Sequence, residues 1–501
     1  MTEGSGETLL TVWAQWWGVG GVGGAARGGG SRPALVSGAD PSVTLTYEEL
    51  AELSAGVAGA LAARGVMAGD RVLWSCLPTL DSIVVLLGAL RLGAVVVAVN
   101  PGGAGGEFAY VVGDVRPRLA LVERADAGVW IEGTDESVIV LAPGDLVGTG
   151  ARGGGGVDVV LDTAQPNDDA LIVYTSGTTG QPKGAVHTHA SLLAGALAIR
   201  SAWGWEPDDR LILALPLFHV HGLCAGLFGT LAAGASAIVF ERFDVSSVVD
   251  AVPLSSMFFG VPTMYHRLAE SGRAGELSRL RLCVSGSAPL AAEMWRNFNE
   301  AHHVSVLERY GMSETLLTLS NPLLGERRPG SVGLPLPGVR ARIQVADHGG
   351  EDGVGELLVA GPTLCRGYWE RPDATADSRS GEWFSTGDLA TVSDDGYFTI
   401  AGRMTELIIT GGHNVYPAEV EAVLSRVTSV GEIAVVGAPS AEWGESVVAC
   451  VVGVSGDPDL GELRRVAERD LAPFKRPREY RVMDALPRNA MGKLVRRELL
   501  A

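Results

Sequence analysis

The segment from residue 70 to residue 101 constrains the fold most, because it alternates strand-like and helix-like apolar runs. The run "DRVLWSCL" is typical of a buried strand, "DSIVVLLGALRLGA" has helical spacing, and "VVVAVNP" is a second strand that ends at Asn-Pro. Buried strands separated by helices form parallel sheets covered by helices. The same rhythm returns in "RLRLCVSGSAPLAAEMWRNFNEAH", so we predict an α/β fold built from layered subdomains.

The residue pattern changes after about residue 330. Short strand-like runs separated by glycine turns there predict a β-rich subdomain. After Arg403 the pattern is helix, strand, strand, helix, which predicts a small α+β unit. We therefore predict a large N-terminal domain over residues 1–402 and a small C-terminal domain over residues 403–501. Glycine-rich stretches at residues 16–32 and 148–156 are predicted to be flexible surface segments.

Charge excludes several classes of function. The 501 residues carry a formal net charge of -19, which argues against a nucleic-acid binder and against a polybasic membrane anchor. The acidic N-terminus does not resemble a signal peptide. The five cysteines form no CxxC pair, so we expect buried free thiols in a reducing, cytoplasmic setting.

Residues 211–240 contain no Lys, Arg, Asp or Glu and raise the question of a membrane span. Pro216, His219 and His221 interrupt this stretch early, and glycines recur after them. We therefore predict a buried strand, a loop and a buried helix, and no stable membrane insertion.

The stretch "IVYTSGTTGQPKGAVHTH" carries the strongest chemical signal. It is predicted to be a strand, then a loop, then a helix that begins near His-Thr-His. Small residues let backbone N–H groups close around phosphate oxygens, and the loop hydroxyls add donors. Lys183 supplies a positive charge, but no Ser or Thr follows it, so this is not a Walker-type loop. The predicted phosphate-binding residues are Thr175, Ser176, Gly177, Thr178, Thr179, Gly180 and Lys183.

The chain resembles the acyl-adenylate-forming superfamily of acyl-CoA synthetases, adenylation domains and luciferases. The motifs "YTSGTTGQPKG", "YGMSE", "STGDL", "GRMTELIITGGHNVYP" and "PRNAMGK" occur in the order found in that superfamily, over roughly residues 40–500. The resemblance implies ATP, Mg²⁺ and coenzyme A as cofactors and a small carboxylic acid as substrate. A carboxylate oxygen would attack the α-phosphorus of ATP, and a thiolate would then displace AMP.

The resemblance also implies roles for individual residues. Glu314 corresponds to the magnesium ligand, and Tyr310 would stack on adenine. The expected nucleotide contacts also include Ser287, Ala288, Gly311, Met312 and Ser313. The expected catalytic residues are Thr175, Lys183, His219 and Lys493, of which Lys493 would reach the α-phosphate and the carboxylate.

Further roles fall on the C-terminal part of the chain. Asp388 would accept hydrogen bonds from the ribose hydroxyls with help from Arg403, and the small domain would swing about a hinge at residues 404–406. Gly411 and Gly412 would leave room for a pantetheine arm. The candidates for coenzyme A phosphates are Lys475, Arg476 and Arg478, for which a solvated basic face is the alternative.

Arg309 narrows the choice of acid. Relatives that activate fatty or aromatic acids usually have glycine before the tyrosine of this motif, and an arginine beside an alkyl chain would be costly. A guanidinium instead suits a second carboxylate. The stretch "LERYGMSET" resembles the malonyl-CoA synthetase branch, in which the arginine binds the carboxylate that is not activated. His219, His221 and Ser285 are expected nearby.

Alternatives remain open at this stage. Arg309 could instead pair with Glu308, and His219 with His221 could suggest a metal site, although no third ligand is nearby. The leading function is an ATP-dependent ligase that joins malonate or methylmalonate to coenzyme A. The alternatives are a medium-chain or aromatic monocarboxylate ligase, an enzyme that loads a carrier protein, and a nucleotide-binding protein without catalysis.

Overall fold

The computed structural model describes residues 7–17, 30–150, 159–175, 181–345, 353–488 and 494–500. The chain forms two compact units. The first comprises Met1–Arg340 and Val359–Phe384, and the second comprises Ala341–Leu358 and Ser385–Ala501. Most of both glycine-rich segments lies outside the described residues. The predicted boundary at 402/403 stays a prediction.

Strands and helices alternate along most of the first unit. Its strands are β1 (Pro33–Ser37), β2 (Thr44–Thr46), β3 (Arg71–Ser75), β4 (Val95–Ala98), β5 (Leu119–Val122), β6 (Ile139–Leu141), β7 (Asp169–Tyr174), β8 (Gly184–Thr188), β9 (Arg210–Leu213), β10 (Ser236–Val239), β11 (Met257–Gly260), β12 (Leu282–Ser285), β13 (Leu307–Met312), β14 (Leu316–Ser320) and β15 (Leu334–Pro335). The later strands are β16 (Arg340–Gln344), β17 (Gly355–Ala360), β18 (Gly367–Tyr368), β19 (Arg379–Ser380), β20 (Trp383–Val392), β21 (Phe398–Arg403), β22 (Ile408–Thr410), β23 (His413–Val415), β24 (Val430–Ser440), β25 (Gly444–Gly453) and β26 (Glu479–Val482).

The α-helices are α1 (Leu9–Ala14), α2 (Tyr47–Ala62), α3 (Leu80–Arg91), α4 (Gly105–Val115), α5 (Ala125–Thr134), α6 (Pro143–Gly150), α7 (His189–Ala202), α8 (Gly229–Ala233), α9 (Val245–Ala251), α10 (Pro262–Glu270), α11 (Ala292–His302), α12 (Pro372–Asp377), α13 (Pro417–Leu424) and α14 (Leu460–Asp470). A π-helix spans His221–Phe228, and a 3-10 helix spans Met404–Glu406.

The predicted α/β core is confirmed. Among the described residues, one sheet has the strand order β18-β8-β7-β4-β3-β5-β6, and β3 through β7 run parallel within it. The helix predicted after β3 is α3, which is buried on nearly every side, as its apolar run "IVVLLGAL" requires. Helix α2 begins at a capping box in which Thr46 and Glu49 satisfy each other's backbone donors.

A second sheet positions the candidate acyl site. Its order is β15-β14-β13-β12-β11-β9-β10-β1-β2, and β9 to β13 pair in parallel through the middle. Ligands of such sheets bind beyond the carboxyl ends of the strands. Ser285 ends β12, and Arg309 lies beyond the last parallel pair of β13, which joins Ser285 to Glu308.

The region after the phosphate loop differs from the prediction in one respect. The helix α7 does begin at His189, with Thr188 as its cap, but an additional strand precedes it. This strand, β8, pairs antiparallel with β7, so the loop is the turn of a hairpin. The run "AVHT" is short and mostly apolar, which periodicity alone does not distinguish from the start of a helix.

The uncharged segment at residues 211–240 folds as predicted, into β9, a loop, the π-helix with α8, and β10. In the described part of the chain, no helix is long and apolar enough to cross a membrane. All five cysteines are buried free thiols, as expected: Cys76, Cys224, Cys283, Cys365 and Cys450.

The second unit contains the small α+β arrangement that the sequence predicted. Among its described residues a sheet has the order β23-β22-β25-β24, with β26 parallel to β25, and α13 and α14 contribute to the same apolar core. Strands β20 and β21 form an antiparallel pair that ends at Arg403. The predicted helix, strand, strand and helix after Arg403 are therefore confirmed as α13, β24, β25 and α14, while β22, β23 and β26 were not predicted.

Candidate active site

The ends of the phosphate loop are joined by one backbone bond. The N–H of Thr175 donates to the carbonyl of Lys183 over 2.9 Å, and the hydroxyl of Tyr110 donates to the carbonyl of Pro182 over 2.7 Å. These bonds close the turn between β7 and β8. The predicted residues at 176–180 lie outside the described residues, so their phosphate contacts stay a prediction.

Tyr368 connects the loop lysine with the expected magnesium ligand, a role that was not predicted from the sequence. Its hydroxyl donates to Oε1 of Glu314 over 2.9 Å, while Nζ of Lys183 lies 5.2 Å from the centre of its ring. Strand β18 brings Tyr368 there by pairing with β8, opposite Ala185. The aromatic pair in "RGYWE" is the only local signal, and it does not identify a partner.

Glu314 is buried, and its donor chemistry fits the metal that the resemblance implies. Mg²⁺ prefers carboxylate oxygens and usually binds through one or two carboxylates plus substrate phosphates and waters. Within the described ranges no three His, Cys, Asp or Glu side chains form a cluster that could hold a metal. A magnesium ion at Glu314 would therefore depend on the nucleotide for its other ligands.

A tight hairpin holds the motif "YGMSE". The side chains of Tyr310 and Met312 meet on one face of β13, with the phenol oxygen 3.9 Å from the sulfur. No residue with a side chain can replace Gly311, because a Cβ there would lie 2.0 Å from the carbonyl oxygen of Leu316. The hairpin therefore requires glycine for close backbone approach.

His187 holds this hairpin in place through a hydrogen bond to its backbone. Its Nε2 lies 2.7 Å from the carbonyl oxygen of Ser313, and its Nδ1 lies 3.2 Å from the hydroxyl of Ser191. Because a carbonyl oxygen can only accept, Nε2 carries the proton. Burial lowers the pKa of His187 to about 4, so the ring is neutral. His187 is thus engaged in supporting the motif.

Arg309 does not pair with Glu308. The two are successive residues of β13, so their side chains point to opposite faces of the sheet. Glu308 instead accepts from the N–H of Leu290 over 2.9 Å, and burial raises its pKa to about 8. A carboxyl with that pKa is mostly neutral at pH 7 and is a poor counterion.

The Arg309 side chain is buried against two polar neighbours. It is 3% exposed, and Nη2 donates to the hydroxyl of Ser287 over 3.4 Å. The same hydroxyl lies 3.4 Å from Nδ1 of His221. Since Ser287 accepts from Arg309, it can donate to His221, which leaves the imidazole proton on Nε2. Burial lowers the pKa of Arg309 to about 9.

Several buried polar atoms around Arg309 lack a hydrogen-bond partner among the described residues. They are Nε of Arg309, Nε2 of His219 and Nε2 of His221. Oγ of Ser285 also lacks a partner there, but Ser285 is the register partner of Glu308, so its side chain points to the face of the sheet opposite Arg309, and the expectation that it lies beside Arg309 is wrong. Buried polar groups are nearly always paired, so such a group is a reason to look for a ligand. Burial lowers the pKa of His219 to about 4, and burial, then Arg309 and His219, lower that of His221. The set therefore carries one cation and two neutral rings.

The predicted ribose-binding residues lie together within the second unit. Nε of Arg403 is 2.8 Å from Oδ1 of Asp388, and the two residues face each other across β20 and β21. Asp388 is buried, with its N–H bonded to the hydroxyl of Thr386 over 3.1 Å. Arg403 is therefore in position to support Asp388, while the contact of Asp388 with a ribose stays a prediction.

The predicted coenzyme A region is a turn with basic neighbours. Gly411 and Gly412 have φ of 57° and 82°, and they form the two-residue turn between β22 and β23. Lys475 pairs with Glu419 at 2.8 Å, and Arg476 donates to carbonyls at the end of α14. Arg478 lies 4.0 Å from the ring of Trp443, a cation–π contact. Their role toward phosphates stays a prediction.

Lys493 lies outside the described residues. Ala288 follows Ser287 in the half-buried loop after β12. The predicted hinge residues form the 3-10 helix Met404–Glu406, which joins β21 to β22.

The fold and this site match one family. The chain belongs to the AMP-binding enzymes: the model of that family matches residues 24–369, and the model of the AMP-binding enzyme C-terminal domain matches residues 419–493. The resemblance inferred from the motifs is confirmed.

Within this family the chain is similar to proteins with different names. A malonate–CoA ligase of Arabidopsis thaliana is 37% identical over 368 residues, which are 66% of this chain and 60% of that protein. A feruloyl-CoA synthase of Amycolatopsis sp is 34% identical over 474 residues, or 91% of this chain and 93% of that one. The crystal structure of ATP-bound MatB from Rhodopseudomonas palustris has a TM-score of 0.90 and 34% identity over 98% of both chains.

The length of the match differs among these relatives. The chain spans less than two thirds of the malonate–CoA ligases of Arabidopsis thaliana and Mus musculus, at 60% and 64% of their lengths.

Proposed function

We propose that the chain is an ATP-dependent acid–thiol ligase that joins malonate or methylmalonate to coenzyme A. One carboxylate oxygen of the acid attacks the α-phosphorus of ATP, the bond to the β-phosphate breaks, and pyrophosphate leaves. The thiolate of coenzyme A then attacks the carbonyl carbon of the acyl-adenylate, and AMP leaves. The similarity to malonate–CoA ligases and to MatB supports this choice.

One observation carries the diacid: Arg309 is buried without a carboxylate partner in the described residues, beside further donors that also lack partners. Burying an uncompensated charge is costly. A distal carboxylate of the substrate would offset that cost and accept hydrogen bonds from Nε of Arg309 and Nε2 of His221. An alkyl or aromatic end would leave these groups unpaired.

The charge of the site also fits a single carboxylate. Arg309 is the cation, while His219 and His221 stay neutral because burial disfavours their charged forms. Neutral imidazoles can donate hydrogen bonds without adding charge. The site is thus matched to a monoanionic group and offers little to a neutral amide or ester.

The remaining machinery is proposed as the family resemblance implies. Lys183 and the loop at residues 175–180 hold the β- and γ-phosphates, and Glu314 holds Mg²⁺, which neutralises phosphate charge when bound. Tyr310 stacks on adenine, Asp388 with Arg403 binds the ribose, and Lys493 serves the adenylation step. The small C-terminal domain moves between the two half-reactions, and five buried thiols suit a reducing, cytoplasmic compartment.

Pyrophosphate release with malonate, methylmalonate, acetate and octanoate tests the proposal. Malonate or methylmalonate should give the highest kcat/KM. The variant Arg309→Met keeps most of the side-chain volume but removes the charge. It should lower kcat/KM for malonate by about 30- to 5,000-fold, because the distal carboxylate of malonate would then be buried without an ionic partner.

A matched control is Arg327→Met. Arg327 is also largely buried, but its guanidinium donates to the backbone carbonyls of Ser305, Pro322 and Leu323. This variant should keep the order of acids even if it lowers stability. Equal use of malonate by Arg309→Met and the parent would reject the diacid proposal.

A further inference from the structure

The guanidinium of Arg309 lies directly on the backbone of Gly286. A Cβ built at Gly286 would be 2.4 Å from Cζ and 2.4 Å from Nε of Arg309, and 2.8 Å from Nη1. Non-bonded heavy atoms do not approach each other this closely, so with a Cβ at residue 286 one of the two groups would have to shift. The present position of the guanidinium therefore exists only because residue 286 has no side chain.

We propose that Gly286 is the positioning residue that sets the specificity of the acyl site for diacids. This inference rests on the proposed function, because it acts through Arg309. With glycine at 286, the guanidinium can lie against the backbone of residue 286 and reach the hydroxyl of Ser287. A larger residue there would push it away from the position where a distal carboxylate is expected.

Backbone conformation does not explain this glycine. Gly286 does not occur among the residues with positive φ, so an alanine could adopt its backbone angles. The left-handed conformation falls instead on the next residue, Ser287, with φ of 69°. A non-glycine residue seldom accepts that conformation unless its side chain is needed there.

Ser287 has such a need, since its hydroxyl contacts both Nη2 of Arg309 and Nδ1 of His221. The loop therefore places a strained serine where a hydroxyl is useful and a glycine where clearance is useful. This division of roles indicates that the loop is arranged around the guanidinium.

The variant Gly286→Ala should fold, because the atoms it displaces belong to the end of a flexible side chain. We expect kcat/KM for malonate to fall at least tenfold, mainly through KM, with an unchanged KM for ATP. The ratio of malonate to acetate use should fall by a similar factor. A general structural defect would instead lower kcat/KM for malonate and for acetate by the same factor.

The matched control is Gly437→Ala in β24. A Cβ at Gly437 would lie 2.7 Å from Oε1 of Glu445, so this substitution also displaces the charged end of a flexible side chain. It should leave the malonate-to-acetate ratio unchanged. An equal drop in that ratio for both variants would overturn the inference.

A double-mutant cycle gives the decisive measurement. In the Arg309→Met background there is no guanidinium to displace, so Gly286→Ala should change kcat/KM for malonate less than twofold. Additive effects of the two substitutions would overturn the inference. If the single variant fails to fold, the double variant should fold; failure of both would show that the glycine is needed for another reason.

The cycle also separates this inference from the proposed function. Unchanged malonate use by Arg309→Met alone would reject the diacid function. Loss of malonate use by Arg309→Met together with full activity of Gly286→Ala would keep the function and reject only the role of Gly286.

Discussion

The phenol hydroxyl of Tyr368 donates a hydrogen bond to Oε1 of Glu314 over 2.9 Å. The same ring faces the ammonium of Lys183. One tyrosine thus contacts both the expected magnesium ligand and the cation of the phosphate loop. Groups that orient a metal ligand in this way commonly matter for metal affinity nearly as much as the ligand does.

Replacing Tyr368 by Phe should weaken the use of magnesium. The variant keeps the ring beneath Lys183 but removes the bond to Glu314, so the carboxylate loses a fixed orientation. We expect the half-saturating Mg²⁺ concentration to rise roughly tenfold. Calorimetric titration of the protein and ATP with Mg²⁺ measures this without turnover.

Tyr47→Phe is the control, since it removes another tyrosine hydroxyl, bonded to the carbonyl of Ala235 over 2.7 Å. The same Mg²⁺ dependence for Tyr368→Phe and the parent would contradict a role for Tyr368 in positioning Glu314.

Arg309→Met should raise stability while it lowers activity. The charged group is buried without a carboxylate partner in the described part of the chain, and burial disfavours its charged form. Replacing buried ionic groups with apolar side chains of similar volume is often neutral or stabilising by about 1–4 kcal/mol, and Arg309 has no carboxylate partner whose attraction would be lost in the free protein. Urea unfolding should show a higher midpoint at an unchanged m-value. A lower midpoint would mean that Arg309 stabilises the free protein.

The stability of the fold should fall below about pH 6.5, in part because of His189. This side chain is fully buried with no partner for either ring nitrogen among the described residues, and burial lowers its pKa from 6.5 to about 4. Between these two values the unfolded chain binds a proton that the folded chain does not. The free energy of unfolding therefore decreases as the pH is lowered from about 6.5 to about 4, by up to about 1.4 kcal/mol per pH unit.

The substitution His189→Leu should make this acid limb shallower. Urea unfolding at pH 7, 6 and 5 measures the slope. His266→Leu is the control, since His266 is exposed. An unchanged slope for His189→Leu would show that His189 does not contribute to the pH dependence.

Asp388→Asn should remove discrimination between ATP and its deoxy analogues. The residue is buried and held at 2.8 Å by Arg403, which orients it for the proposed ribose contact. A hydrogen bond to a charged group contributes roughly 1.5–3 kcal/mol, so the parent should bind ATP about 10- to 150-fold more tightly than 2′-deoxy-ATP or 3′-deoxy-ATP. Calorimetry should show that this gap closes in the variant. A gap that persists would place the ribose elsewhere.

Much of the fold followed from the sequence because its signals are local. Apolar runs such as the one in α3 predict buried helices between parallel strands. Glycines and hydroxyls around Lys183 indicate a phosphate loop whatever surrounds it. Such patterns depend on neighbours in the chain, so they can be read without knowing how the strands are ordered.

The acyl site depended on contacts that no local pattern encodes. Glu308 and Arg309 are neighbours in the sequence, which is compatible with an ion pair, but in a strand their side chains point to opposite faces of the sheet. The contacts of Arg309 with Gly286 and of Tyr368 with Glu314 arise where strands distant in sequence become neighbours. The sequence by itself determined the family chemistry and the elements; only the tertiary structure decided which side chains meet, because the order of strands in a sheet is set by packing of the whole core.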